Sequence, residues 1–337
     1  MFSLFQSLFS ARSEAVGAWP EELVQEAIDR AVDGTDPRLR VLAGYRKRLR
    51  EPVIRAVDHV VRLVNELPPP IAVNAASYRE QACLRAMFAS PERMLEVLAR
   101  DQGLENARRE GLCAEQPVTA MLSMRMSEKH TLGIDIEDEV LKRDVQQTVV
   151  SFDAHRLVDP CAEEALTRRA LRRRAFDHIL AQALDDMARR RSSRKELAGQ
   201  RELLQRKRVA LKRSGWSFDG ARAPAAAPDE AALERELADI EAQLEALGPD
   251  EKTLEKHMEM LVAALVEPDR KLWSVERMLI LDHRNVLRAK ADSVARELSV
   301  RELHDARGAR MVMLLVGIDL ALLPRPDFFR AAKRYTG

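Results

Sequence analysis

"LERELADIEAQLEALGPDEKTLEKHMEMLVAAL", residues 233–265, carries Leu233, Leu237, Ile240, Leu244, Leu247, Leu254, Met258, Leu261 and Leu265 at alternating spacings of four and three, with Glu251 as the polar member of the series. This is a heptad repeat, the pattern with which a helix lays an apolar seam on a second helix. The preceding chain supplies that second helix. Residues 161–213 hold no proline and a single glycine, Gly199, and predict one helix of roughly 50 residues, about 75 Å long at 1.5 Å per residue. Asp159 is placed to cap it, with Pro160 in its first turn. Between the two helical stretches, "SGWSFDGARAPAAAP" (214–228) is loaded with helix breakers, so the simplest connection is an antiparallel coiled-coil hairpin over 161–266 with its loop at about 214–228.

Charge supports the pairing. Residues 165–213, which include "RRSSRKELAGQRELLQRKRVALKR" (190–213), carry 16 Lys/Arg against 5 Asp/Glu, whereas residues 229–259 carry 11 Asp/Glu against 3 Lys/Arg. Two arms of opposite sign neutralise one another across a seam, which a nucleic-acid-binding arm would not require. Folding the chain about Gly220 sets a register: Phe176 opposite Leu265, Leu180 opposite Leu261, Met187 opposite Leu254, Leu197 opposite Leu244 and Leu204 opposite Leu237. Arg190 then meets Glu251 as a polar layer, whereas neighbouring registers leave that carboxylate facing Leu197 or Ala183. Ser192 and Ser193 fall level with Gly248 and Pro249, where a kink is expected. Arg194, Arg201 and Arg208 also occupy seam positions, and their methylene stems can cover the facing leucines. The basic surplus sustains a second reading, in which Arg189, Arg191, Lys207 and Lys212 contact nucleic-acid phosphates from the arginine-rich helix 165–213.

Strand texture flanks the hairpin on both sides. "VTAMLSMRMSEKH" and "DVQQTVVSFDAHRLV" before it, and "LWSVERMLIL", "RELSVRELH" and the run from Met311 after it, are rich in β-branched or alternating residues, with Gly308 in a turn between the last two. The first stretch of the chain instead reads as short helices punctuated by proline and glycine. Val53, Val57, Val60, Val64 and Leu67 form one stripe before three prolines, and Ser90 caps a helix that begins at Pro91. The expected fold is therefore α+β and predominantly helical. It comprises a helical domain (1–115), the first strands of a small antiparallel or mixed sheet (116–160), the inserted hairpin (161–266), and the remaining strands with a C-terminal segment (267–337).

Function is far less legible. Net charge is +1 over 337 residues, so any electrostatic partner must be met by local segregation of charge. Cys83, Cys113 and Cys161 lie far apart without ligand or disulfide spacing, which fits a reducing cytoplasm. "MFSLFQSLFSAR" has no basic leader before its apolar residues, and residues 1–10 form an apolar face that could rest on a membrane surface or on the protein itself. The longest apolar run, Met311–Pro324, is broken by Asp319 and is too short to span a bilayer. No catalytic or phosphate-loop motif occurs. Asp153 and His155, two apart on an expected strand and hence on one face, together with Asp282 and His283 on another, make only a weak metal or acid–base candidate. "DIEDE" (135–139) lacks the glycine and spacing of a calcium loop. The expectation is a non-enzymatic, cytoplasmic scaffold without cofactors that uses the hairpin as a partner-binding or spacing arm. Its partner would be a protein, with self-association left open and nucleic-acid binding as the alternative.

Overall fold

The computed structural model describes residues 19–112, 117–137, 140–214, 230–247, 252–291 and 295–324. The fold is α+β. Helices α1 (Glu21–Asp33), α2 (Tyr45–Asn65), α3 (Ala75–Glu80), α4 (Ala82–Met87), α5 (Pro91–Ala99) and α6 (Gln102–Arg109) precede most of the sheet. The long α7 (Glu164–Ser214) lies in the chain between β3 and β4, followed by α8 (Glu230–Leu247) and α9 (Thr253–Val266). The strands are β1 (Ile71–Val73), β2 (Val118–Glu137), β3 (Val140–Cys161), β4 (Leu272–Leu281), β5 (Arg296–Asp305) and β6 (Arg310–Ile318). They run in the order β3-β2-β6-β5-β4 with antiparallel neighbours, and β1 joins the end of β6 in parallel.

The chain divides into two compact units. One holds Arg55–Phe176 and the residues from Glu267 onward, and the other holds Pro20–Ile54 and Asp177–Val266. The expected helical segment 1–115 is thus shared between them, as are α2 and α7. In the first unit the sheet buries both faces, as period-two alternation along β6 requires. Val312, Leu314, Val316 and Ile318 join Ala120, Leu122 and Met124 in a core with Leu84 and Met87 of α4, Met94 and Leu98 of α5 and Leu104 of α6. Met313 and Leu315 turn the other way, to Met121, to Val64 and Leu67 at the C-terminal end of the apolar stripe begun on α2, and to Leu171 of α7.

The outer strands are linked through the turn after β4: Val149 of β3 bridges Val286, and Leu281 of β4 bridges Leu287. Such a wrap needs strong local coiling, and β3 supplies it with three bulges. Each register shift against β2 coincides with a residue at positive φ on β3: Asp144 (59°), Ala154 (54°) and Asp159 (49°).

These bulges overturn two expectations. Asp159 and Pro160 do not begin the long helix. They lie within β3, where Pro160, lacking a ladder donor, is accommodated at a bulge, and α7 starts at Glu164. Asp153 and His155 do not share a face either, because the bulge at Ala154 sets two residues against one on β2 and flips the alternation between them. A third difference is β1, whose three residues directly after the triple proline are too few to show a period. The stripe Val53, Val57, Val60, Val64 and Leu67 is buried throughout, and Gly308 turns β5 into β6 at φ 82°.

Candidate functional site

The second unit contains the charged helices. Along α7, Leu180, Ala183, Met187 and Leu204 are buried, Arg190, Arg194, Leu197 and Arg208 are half-buried, and Arg201 is exposed. On α8 the burial follows the heptad: Leu237 and Ile240 are buried and Leu233, Leu244 and Leu247 half-buried, with exposed residues between them. Leu204, Leu237 and Ile240 form a single cluster against which Leu197, Leu233 and Leu244 pack. On α9, Met258, Leu261 and Leu265 are buried and Leu254 half-buried. Phe176, the innermost expected seam residue, is fully buried in the sheet-bearing unit.

Glu251 and the Gly248–Pro249 irregularity lie outside the described residues, as do the 215–229 loop and the N-terminal residues 1–10. Arg190, the expected partner of Glu251, makes itself felt at Glu259 of α9. That carboxyl is held below the usual range first by Lys256, then by Arg48 and Arg190. Ion pairs of this region include Arg206–Glu202 and Lys256–Glu259, each within one helix. Arg189, Arg191 and Lys207 are solvent-exposed, whereas the side chain of Lys212 lies outside the described residues.

A buried polar cluster sits beside these helices. Asp36 accepts hydrogen bonds from Arg38 Nε (2.9 Å) and Nη2 (2.8 Å), from the Arg38 backbone N–H (3.1 Å) and from His257 Nδ1 (2.8 Å). The Arg38 guanidinium holds the Asp36 carboxyl far below its ordinary range, and the His257 bond helps overcome the opposing effect of burial. Because an ionised carboxylate can only accept, His257 must carry its proton on Nδ1. The pair borders a cleft of about 610 Å³ that also meets Arg191, Ser192 and Lys195 of α7. Sequence reasoning missed this site because its members are 221 residues apart and match no local motif. Nearby, Arg30 grips Asp177 bidentately, with its Nε donating to Oδ1 at 2.6 Å.

The expected Asp/His candidate disperses. Asp153 is exposed and pairs with Arg125 across the strands at 2.8 Å, which lowers its pKa. His155 points into the sheet's helix-covered face, where it stacks on Phe88 at 4.5 Å and donates from Nε2 to the Met87 carbonyl at 3.0 Å. Burial pushes its pKa down. Asp282 and His283 lie in the turn after β4, not on a strand. Among the described residues no group of three or more His, Cys, Asp or Glu could hold a metal ion, and no helix is long and apolar enough to cross a membrane. Comparison with protein families, with curated proteins and with solved structures returns no match.

Proposed function

We propose that the protein is a non-enzymatic scaffold whose charge-segregated helices fold as an antiparallel coiled-coil hairpin and serve as a partner-binding arm. The observation that carries this reading is the agreement of burial with the heptad. Leu204, Leu237 and Ile240 form an apolar cluster flanked by Leu197, Leu233 and Leu244, as Leu204 opposite Leu237 and Leu197 opposite Leu244 require. Such an arm is stiff, carries different charge on its two strands and leaves both outer faces free for a protein partner. In this register Arg190 and Glu251 form the polar layer, and Met187 lies across from Leu254.

A second reading is favoured by one specific observation: Arg189, Arg191 and Lys207 are exposed on the basic helix, where they could meet nucleic-acid phosphates. One set of experiments separates the two. A cysteine pair at 204 and 237 should form a disulfide within one chain, because facing seam positions approach closely, whereas a pair at 204 and 244 should not. With the hairpin established, affinity capture with the full chain should retain proteins that a chain lacking residues 190–251 does not, and retention should survive nuclease. If retention disappears with nuclease, and changing Arg189, Arg191, Lys207 and Lys212 together to glutamine abolishes a gel shift, the arm binds nucleic acid instead. No arm-dependent partner of either kind would overturn the arm's role.

A further inference from the structure

A larger cleft, of about 830 Å³, lies in the sheet-bearing unit, where the turn after β4 links the outer strands. It is walled by α4, by Val149–Phe152 of β3 and by β5. Its apolar lining includes Phe88, Leu281 and Leu298, all buried, and the partly buried Phe152. Four basic side chains from three elements complete it: Arg85 from α4, His283 and Arg284 from the turn, and Arg296 from β5. The carboxylate among its lining residues is already committed. Asp282 Oδ1 accepts from the backbone N–H groups of Arg284 (2.8 Å) and Val286 (3.0 Å), and Oδ2 accepts from Arg288 Nη2 (2.9 Å). Among the described residues, neither Arg284 nor Arg296 pairs with an acidic side chain. Arg85 donates to the Arg79 carbonyl.

The turn that presents Arg284 is also held in place. Asn285 adopts the left-handed region at φ 59°, its amide donates to the Ala86 carbonyl at 2.8 Å, and its own carbonyl accepts from Val150 N–H at 2.9 Å. A non-glycine residue kept in that region by bonds at both ends marks a turn whose shape is enforced by its surroundings. The cleft therefore combines a preformed apolar wall, a fixed basic turn and guanidinium groups without counter-charges among the described residues. Burying a ligand on the wall places its charged end among those groups, and three guanidinium groups suit the oxygens of a phosphate dianion better than the two of a carboxylate.

We propose that this cleft binds a small organic phosphate, its phosphate among Arg85, Arg284 and Arg296 and its flat apolar body against Phe88, Phe152 and Leu298. The test is calorimetric titration of the full chain with phenyl phosphate, with inorganic phosphate and benzyl alcohol as the charged and the apolar half-ligands. Saturable binding of phenyl phosphate is expected, with each half-ligand weaker by about tenfold or more, and Arg284→Gln with Arg296→Gln together should weaken it by about tenfold or more, the loss of one or more charge-assisted bonds. Because such a variant could be misfolded, the unaltered chain provides a parallel measurement. Phenyl phosphate should slow phenylglyoxal modification of Arg85, Arg284 and Arg296 but not of exposed Arg100. Absence of saturable binding, equal affinity for inorganic phosphate, or binding without protection of these arginines would each overturn the proposal.

Discussion

Asp36 has four donors converging on its two oxygens, so its charge is stabilised in the folded chain by contacts that no unfolded chain keeps. Its folded pKa lies below the ordinary aspartate value of about 3.9, so the stability it contributes is fully present above that value and is lost as pH falls toward the folded pKa. Changing Asp36→Asn keeps the shape but removes the charge from a site built around it. The expected cost is about 2 kcal/mol near neutral pH, the scale of charge-assisted hydrogen bonds lost from a buried group. Urea unfolding of both chains between pH 7 and pH 3 checks this: the gap between them should be constant down to about pH 5 and narrow as the solution becomes more acid. A gap that widens below pH 4 would reverse the sign of the linkage and remove Asp36 as its source.

At the scale of elements, α6 shows how closely a helix is fitted to the sheet. Asp101 caps it, with Oδ1 accepting from the N–H of Gly103 (2.8 Å) and Leu104 (3.2 Å), while its other oxygen accepts from the Leu157 N–H on β3 at 3.0 Å. One carboxylate thus satisfies a helix N-terminus and a strand together. The closeness this demands is possible because Gly103 has no side chain: a Cβ there would collide with the Leu157 carbonyl oxygen. Gly103→Ala should therefore drive α6 off β3, since the obstacle is backbone and cannot rotate away. The expected destabilisation is about 1–3 kcal/mol, the range for overpacking, read as a lower urea midpoint. A Gly103→Ala chain as stable as the original would show that α6 shifts without cost.

Across the whole molecule, legibility follows the range of the physical signal. The heptad of α8 and α9, the length of α7 and the strands β4 and β5 could be read because period and breaker residues act locally. The bulges could not, because Asp144, Ala154 and Asp159 have no local signature of their positive φ. The contact of Asp36 with His257 and the cleft arginines depend on segments brought together only by the fold. The same distinction governs how stability is distributed. β6 is flanked by β2 on one edge and by β5 and β1 on the other, and Val312–Val316 are buried without a gap. Among the described residues, the distal parts of α7 and α8 rest on three buried side chains, Leu204, Leu237 and Ile240, worth roughly 1.5–3 kcal/mol each before any entropic cost. Regions with few buried apolar contacts open without the rest of the chain. Amide hydrogen exchange should therefore find residues 312–316 protected to the level of global unfolding, while residues 197–209 and 233–247 exchange through a lower-energy opening that leaves β6 protected. Truncating Leu237→Ala should accelerate exchange in both helical segments and leave that of β6 unchanged, because the lost contacts belong to the Leu204–Leu237–Ile240 cluster. If β6 and these helical segments instead exchange together, with one common response to the substitution, then the segments belong to the cooperative core and do not open separately from it.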